Sequence, residues 1–142
     1  MKFKLNVASV YELGQRANQE DNMYPEHGMA TGQDRLFIIC DGMGGHSAGE
    51  VASRLVCESM SRAICDSCPD PEGTFTDEDF KAALAKAFDA LDLNDNGDVK
   101  KMGTTMTFLK FHKDGVTIAH IGDSRVYHVR PAADADNTEI LF

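Results

Sequence analysis

This 142-residue sequence predicts an α+β fold. Three observations carry that expectation. Apolar residues first alternate or cluster in a short continuous block, then recur at helical spacing over two adjacent stretches, then return to period two. Strands grouped beside grouped helices, rather than alternating with them, indicate α+β. The length suits about one domain able to bury its own core. Against 14 Lys+Arg stand 23 Asp+Glu, a net charge of −9, which argues against nucleic-acid and anionic-membrane partners because phosphates attract basic surfaces. No apolar run approaches the ~18 residues of a membrane span. The opening lacks the continuous apolar stretch of a signal peptide, so a cytoplasmic location is expected.

Each element has its own signature. Phe3, Leu5 and Val7 alternate with Lys4 and Asn6, the pattern of a half-buried strand. Residues 14 to 32 are polar and turn-rich. Leu36-Phe-Ile-Ile-Cys40 is a continuous apolar run suited to a strand covered on both faces. It ends in Asp41-Gly-Met-Gly-Gly-His46, whose glycines permit close backbone approach. Ser47-Ala-Gly-Glu50 has capping-box spacing, and Val51, Leu55, Val56, Met60, Ala63 and Ile64 follow at the helical period. Cys68-Pro-Asp-Pro-Glu-Gly73 reads as a loop. Thr76-Asp-Glu-Asp79 opens a second helix with the stripe Phe80, Leu84, Ala87, Phe88 and Leu91. Thr105 to Phe111 and Val116 to Ile121 flank His112-Lys-Asp-Gly115 as a hairpin. Gly122-Asp-Ser-Arg125 then turns the chain into Val126-Tyr-His-Val-Arg130.

Two segments carry chemistry. Asp41-Gly42 sets a carboxylate and an unobstructed carbonyl at a strand end, which is either a hard-cation site or a loop whose Asp caps the following helix. Arg16 with Glu20-Asp21 offers a phosphate-gripping fork beside carboxylates, or else an ordinary solvated turn. The cysteines divide into Cys40 and Cys57, placed as small buried hydrophobes, and the lone pair Cys65-Asp-Ser-Cys68. Zinc would require a second pair or suitably spaced histidines, and a free thiol pair at a helix end is expected there rather than zinc or a redox role.

Four segments stand in a telling order: Arg16-Ala-Asn-Gln-Glu-Asp-Asn22, Asp41-Gly-Met-Gly-Gly-His-Ser-Ala-Gly-Glu-Val-Ala-Ser53, Gly103-Thr-Thr-Met-Thr107 and His120-Ile-Gly-Asp-Ser-Arg-Val-Tyr127. They resemble successive motifs of the PPM-type, metal-dependent protein serine/threonine phosphatases (type 2C), bacterial branch, over roughly residues 10 to 130. The resemblance implies a β-sandwich flanked by helices. It also implies hydrolysis of phosphoserine and phosphothreonine in phosphoproteins at a centre of two manganese or magnesium ions, with a third position in some members. On that footing Arg16 binds the substrate phosphate, Asp41 bridges the two metals, and the Gly42 carbonyl ligates one. Glu20 and Asp21 hold metal-bound waters, and Asp123 belongs to the third position. Met43 stands where the eukaryotic branch has a histidine proposed as a general acid, and His46 receives no catalytic role.

The family's pattern continues past the GDSR segment with two further aspartates that complete the metal shell. Residues 1–142 therefore read as the N-terminal portion of one phosphatase domain, with a sandwich incomplete at its C-terminus. Exposed sheet edges would favour self-association. Alone, the chain is expected to be weakly active or inactive. The alternative is a catalytically inactive pseudophosphatase serving as an interaction module. Asp92-Leu-Asn94-Asp-Asn96-Gly97 matches the first half of a calcium-binding EF-hand loop, but Gly103 replaces the closing Glu and a strand pattern follows. A helix-ending loop is expected instead.

Overall fold

The structure, a computed structural model, describes residues 4–44, 48–95, 97, 101–131 and 138–141. In chain order the elements are β1 (Asp21–Tyr24), β2 (Leu36–Met43), α1 (Ala48–Ser67), α2 (Asp77–Leu93), β3 (Gly103–Thr104), β4 (Met106–His112), β5 (Gly115–Ile121), β6 (His128–Pro131) and β7 (Thr138–Leu141). One antiparallel sheet of five strands runs β1-β2-β4-β5, with β3 paired to the end of β2; β6 and β7 form a separate two-stranded ladder. The architecture is the α+β arrangement that the grouped periodicities imply.

Strand parity decides what each residue faces. Along β2, Leu36, Ile38, Cys40 and Gly42 are buried, while Ile39, Asp41 and Met43 are exposed on the other face. The buried set meets Met106 and Phe108 of β4, and together they pack on Val56, Cys57, Met60 and Ile64 of α1 and Ala83 and Ala87 of α2. Both helices thus cover the same face. On the opposite face Phe37 and Phe111 meet edge to face at 6.4 Å, and Ile39 and Ile118 remain about half exposed.

Local chemistry sets the boundaries. At the start of α2, Thr76 Oγ1 accepts the Asp79 N–H (3.2 Å) and the Asp79 carboxylate accepts the Thr76 N–H (2.8 Å), a reciprocal cap. Thr76→Ala is expected to cost about 1 kcal/mol, read as a lower urea midpoint at unchanged m value. The β4–β5 hairpin turns through Lys113-Asp114, with Gly115 at φ +150°. Ser47, the proposed cap of α1, and His46 lie outside the described residues.

One expectation is revised. Leu5 and Val7 are half-buried and Lys4 and Asn6 exposed, so the alternation exists, but residues 4–10 form no strand; Phe3 lies outside the described residues. Leu5 reaches Gly32 through one backbone bond of 3.4 Å. The neighbouring chain is occupied with its own turn, in which Asp34 N–H bonds Thr31 O and the Asp34 carboxylate accepts the Thr31 N–H and hydroxyl. After α2, Asn94 caps the helix end, as expected of the helix-ending loop there. Asp95 pairs with Lys101 at 3.4 Å, Asn94 Nδ2 donates to Ala90 O, and β3 begins where an EF-hand would need a second helix. Asn96 and residues 98–100 lie outside the described residues.

Protonation of buried groups predicts the alkaline limit. A hydrogen bond with Cys57, then burial, pushes the Cys40 thiol above its ordinary 9.0. A hydrogen bond with Cys65, then burial, pushes Tyr24 from 10.0 up to about 12. Both are raised, so their stabilisation is complete below the unfolded values and drains away as pH rises through 9 and 10. Lys110, lowered by burial, acts in the opposite sense, because rising pH relieves its buried charge. Burial raises Tyr11 as well, and with three groups raised the urea midpoint is expected to fall above about pH 9. A midpoint that stays level up to pH 11 would refute this.

Candidate active site

The polar chain before β1 is held by its own hydrogen bonds. Tyr11 OH donates to Asp21 O (2.8 Å), Gln19 Nε2 to Glu12 O (3.3 Å), and the Asp21 N–H to Gln19 Oε1 (3.3 Å). Arg16 N–H closes a turn on Leu13 O, beside Gly14 at φ +62°. This loop overhangs the end of the sheet where β2 delivers Asp41, enclosing a cavity of about 460 Å³. Its walls include Arg16, Glu20, Asp21, Asp41, Gly42 and Asp123, the six residues singled out from the sequence.

The register explains the electrostatics. Asp21 on β1 lies directly opposite Asp41 on β2, a like-charge cross-strand pair that is destabilising by itself. Burial, then the Asp41 charge and a hydrogen bond with Asp41, push the Asp21 carboxyl above the usual range; Arg16 opposes this and Glu20 adds to it. Glu20 takes a different direction. Its carboxyl carbon passes beside Gly49 in the first turn of α1, and a Cβ on Gly49 would sit 3.0 Å from it. There the carboxylate meets the positive end of the helix dipole. Among the described residues no three His, Cys, Asp or Glu side chains converge as a ready-made metal cage.

Close backbone packing fixes this corner. A Cβ on Gly42 would lie 2.7 Å from Glu20 O and nearer still to the Gly49 carbonyl, so the end of β2 and the start of α1 touch backbone to backbone. Gly42 N–H donates to Glu20 O at 3.0 Å. Asn22, on the helix side of β1, donates to the buried Ser53 Oγ (2.8 Å) and ties the strand to α1.

Thr105 lies in the Gly103–Thr107 segment, but its task appears only in three dimensions. Its N–H donates to Asp41 O (2.9 Å), its Oγ1 accepts the Asp41 N–H (3.2 Å), and its hydroxyl shares a 2.7 Å hydrogen bond with Ser124. One fully buried threonine thus holds Asp41 and the turn bearing Asp123 together. Gly122, at φ +91°, presses on Thr105 so closely that a Cβ would come within 2.8 Å of its methyl group. Nothing local in the sequence marks this, since Thr105 and Asp41 are brought together by sheet register. Glu12, Asn18 and Gln19 also line the cavity, and no sequence signal marks Glu12.

The donor set fits hard cations. Among the described residues the cavity wall carries five carboxylates (Glu12, Glu20, Asp21, Asp41, Asp123) and one arginine. All donors are oxygen, and magnesium commonly uses one or two carboxylates with waters completing its shell. The Asp21–Asp41 pair supplies two carboxylates whose repulsion a cation would relieve.

Comparison with known proteins identifies the family and fold. Residues 14–138 match the family described as Protein phosphatase 2C. The serine/threonine protein phosphatase PstP of Mycobacterium tuberculosis is 36% identical over 126 residues, covering 88% of this chain and 22% of that protein. A putative protein phosphatase 2C-type of Streptococcus pyogenes is 33% identical over 125 residues, covering 86% of this chain and 49% of that protein. The crystal structure of the M. tuberculosis phosphatase PstP/Ppp superposes with a TM-score of 0.64 at 34% identity, over 89% of this chain and 48% of that one. The chain therefore spans about half of the streptococcal relative and of the crystallised PstP chain, and less of full PstP. No described helix is long and apolar enough to cross a membrane. By its family match, its identity to these phosphatases and its fold, the chain belongs to the protein phosphatase 2C family.

Proposed function

We propose that this chain carries the phosphate-binding and metal-binding face of an enzyme that hydrolyses phosphoserine and phosphothreonine in phosphoproteins, using two manganese or magnesium ions and a third position at Asp123. The observation that supports the reading best is the convergence of Arg16 with Glu20-Asp21, Asp41-Gly42 and Asp123, three separate stretches of sequence, on one cavity.

Each group has a part that its placement supports. Asp41, fixed at both backbone polar atoms by Thr105, stands opposite Asp21 as the direct carboxylate ligand, with the Gly42 carbonyl next to it. Asp21 and Glu20 hold ordered waters, and Asp123 holds the third position. Arg16 grips the phosphate oxygens through its planar fork. Divalent cations bound there supply a water of lowered pKa and offset the charge of the phosphate. Five carboxylates against one arginine would otherwise repel a phosphate dianion, so substrate binding depends on the cations being present.

Calorimetric titration of manganese into the chain, followed by a phosphothreonine peptide, tests this reading. Manganese binding, and peptide binding that requires manganese and weakens in Arg16→Ala, are the expected results. A chain that takes up no manganese, or binds the peptide equally well without it, would overturn the proposal.

A further inference from the structure

At the far end of α1 from the acidic cavity, Cys65 and Cys68 are two free thiols that the phosphatase reading does not use. We propose that they form a reversible dithiol–disulfide switch, oxidised by hydroperoxides.

Four observations carry it. Cys65 is exposed and Cys68 half-buried, whereas Cys40 and Cys57 are 0% and 5% exposed. An oxidant in solution therefore meets this pair first. Both thiols line one cavity of about 100 Å³, together with Tyr24, Arg35 and Lys110. Lys110 Nζ donates to Pro71 O at 2.6 Å and is buried in that wall, so an ammonium shares the cavity with both thiols. Third, the spacing suits a bridge. Cys68 N–H still donates to Ile64 O (2.8 Å), so helical geometry runs through both residues and sets them on one face. Adjacent turns bring the Cα atoms within the 4.4–6.8 Å that a disulfide spans. Fourth, Cys68 lies just past the end of α1 and before Pro69, so the last turn can tighten without disturbing a longer helix. Hydroxyls already approach both sulfurs, Tyr24 OH at 3.6 Å from Cys65 and Ser67 Oγ at 3.6 Å from Cys68.

The chemistry balances with a hydroperoxide as the oxidant. The Cys65 thiolate attacks one peroxide oxygen, the O–O bond breaks, and the departing oxygen leaves as water or alcohol after taking a proton. Cys65 is then a sulfenic acid. The Cys68 sulfur displaces its hydroxyl as a second water, forming the S–S bond. Two electrons and both thiol protons pass to the peroxide, and a dithiol reductant reverses the change.

The test uses the folded 142-residue chain. It is treated with hydrogen peroxide, its remaining thiols are blocked with iodoacetamide, and it is digested with trypsin. Cleavage after Arg62 and Lys81 leaves both cysteines in one peptide. That peptide should lose the mass of two hydrogens, take no alkyl label, and regain two labels after dithiothreitol. In Cys68→Ser the peptide should instead carry a dimedone-trapped sulfenic acid on Cys65. A peptide still doubly alkylated at peroxide levels that oxidise free glutathione would overturn the proposal. So would bridges found only between chains, or oxidation of Cys40 or Cys57 ahead of this pair.

Discussion

Asp41→Asn is expected to weaken manganese binding by about a thousandfold, roughly 4 kcal/mol. The substitution is nearly isosteric. Both backbone bonds from Asp41 to Thr105 survive it, because they use the main chain of residue 41. What changes is the charge opposite Asp21. In the absence of metal the variant should therefore be more stable than the wild type by roughly 0.2–1 kcal/mol, since a cross-strand repulsion has gone. Manganese should raise the unfolding temperature of the wild type by mass action and leave the variant unmoved. Differential scanning calorimetry with and without manganese reads both effects. A variant that binds the ion with undiminished affinity would move the metal site away from Asp41.

The largest loss of stability is expected for Phe108→Ala, about 3–5 kcal/mol. Phe108 is 1% exposed at the middle of β4. It stacks on Phe75 at 6.0 Å and takes the edge of Phe80 at 5.0 Å, so one ring joins the sheet to the connection before α2 and to α2 itself. Truncation removes the transfer energy of the ring and leaves a cavity between elements that relax only in part. Set against a total of about 5–15 kcal/mol, that is a large share. Phe108→Leu, which keeps most of the volume, should cost less than about 1.5 kcal/mol. Phe88→Ala is the control: its ring is 55% exposed, and the effect should stay within about 0.5 kcal/mol. Urea titrations of the three variants would show the order, and equal losses at positions 88 and 108 would contradict the packing described.

Much of this was legible in the sequence where the signal is local. The helical periods of α1 and α2 come from stripes that must face one sheet, and Gly115 marked the β4–β5 hairpin because its φ disfavours any side chain. Asp41 stood out because a carboxylate ended an apolar run. What stayed hidden depends on register. That Asp21 faces Asp41, that Thr105 holds Asp41 from 64 positions away, and that Gly49 is the partner Gly42 needs are facts of pairing between distant segments. The failed strand near Leu5 makes the same point in reverse. Its alternation is real, but a ladder needs a neighbour with free backbone groups, and the Thr31–Asp34 turn uses its own.

The alternation along β2 has a consequence for how this sequence can change by insertion or deletion. Even-numbered residues from Leu36 to Cys40 fill the core, and odd-numbered Asp41 stands in the cavity. One residue gained or lost within the strand would exchange the two faces. A carboxylate would then be driven beneath the helices while a thiol took its place opposite Asp21. Length variation between Leu36 and Asp41 should therefore be poorly tolerated.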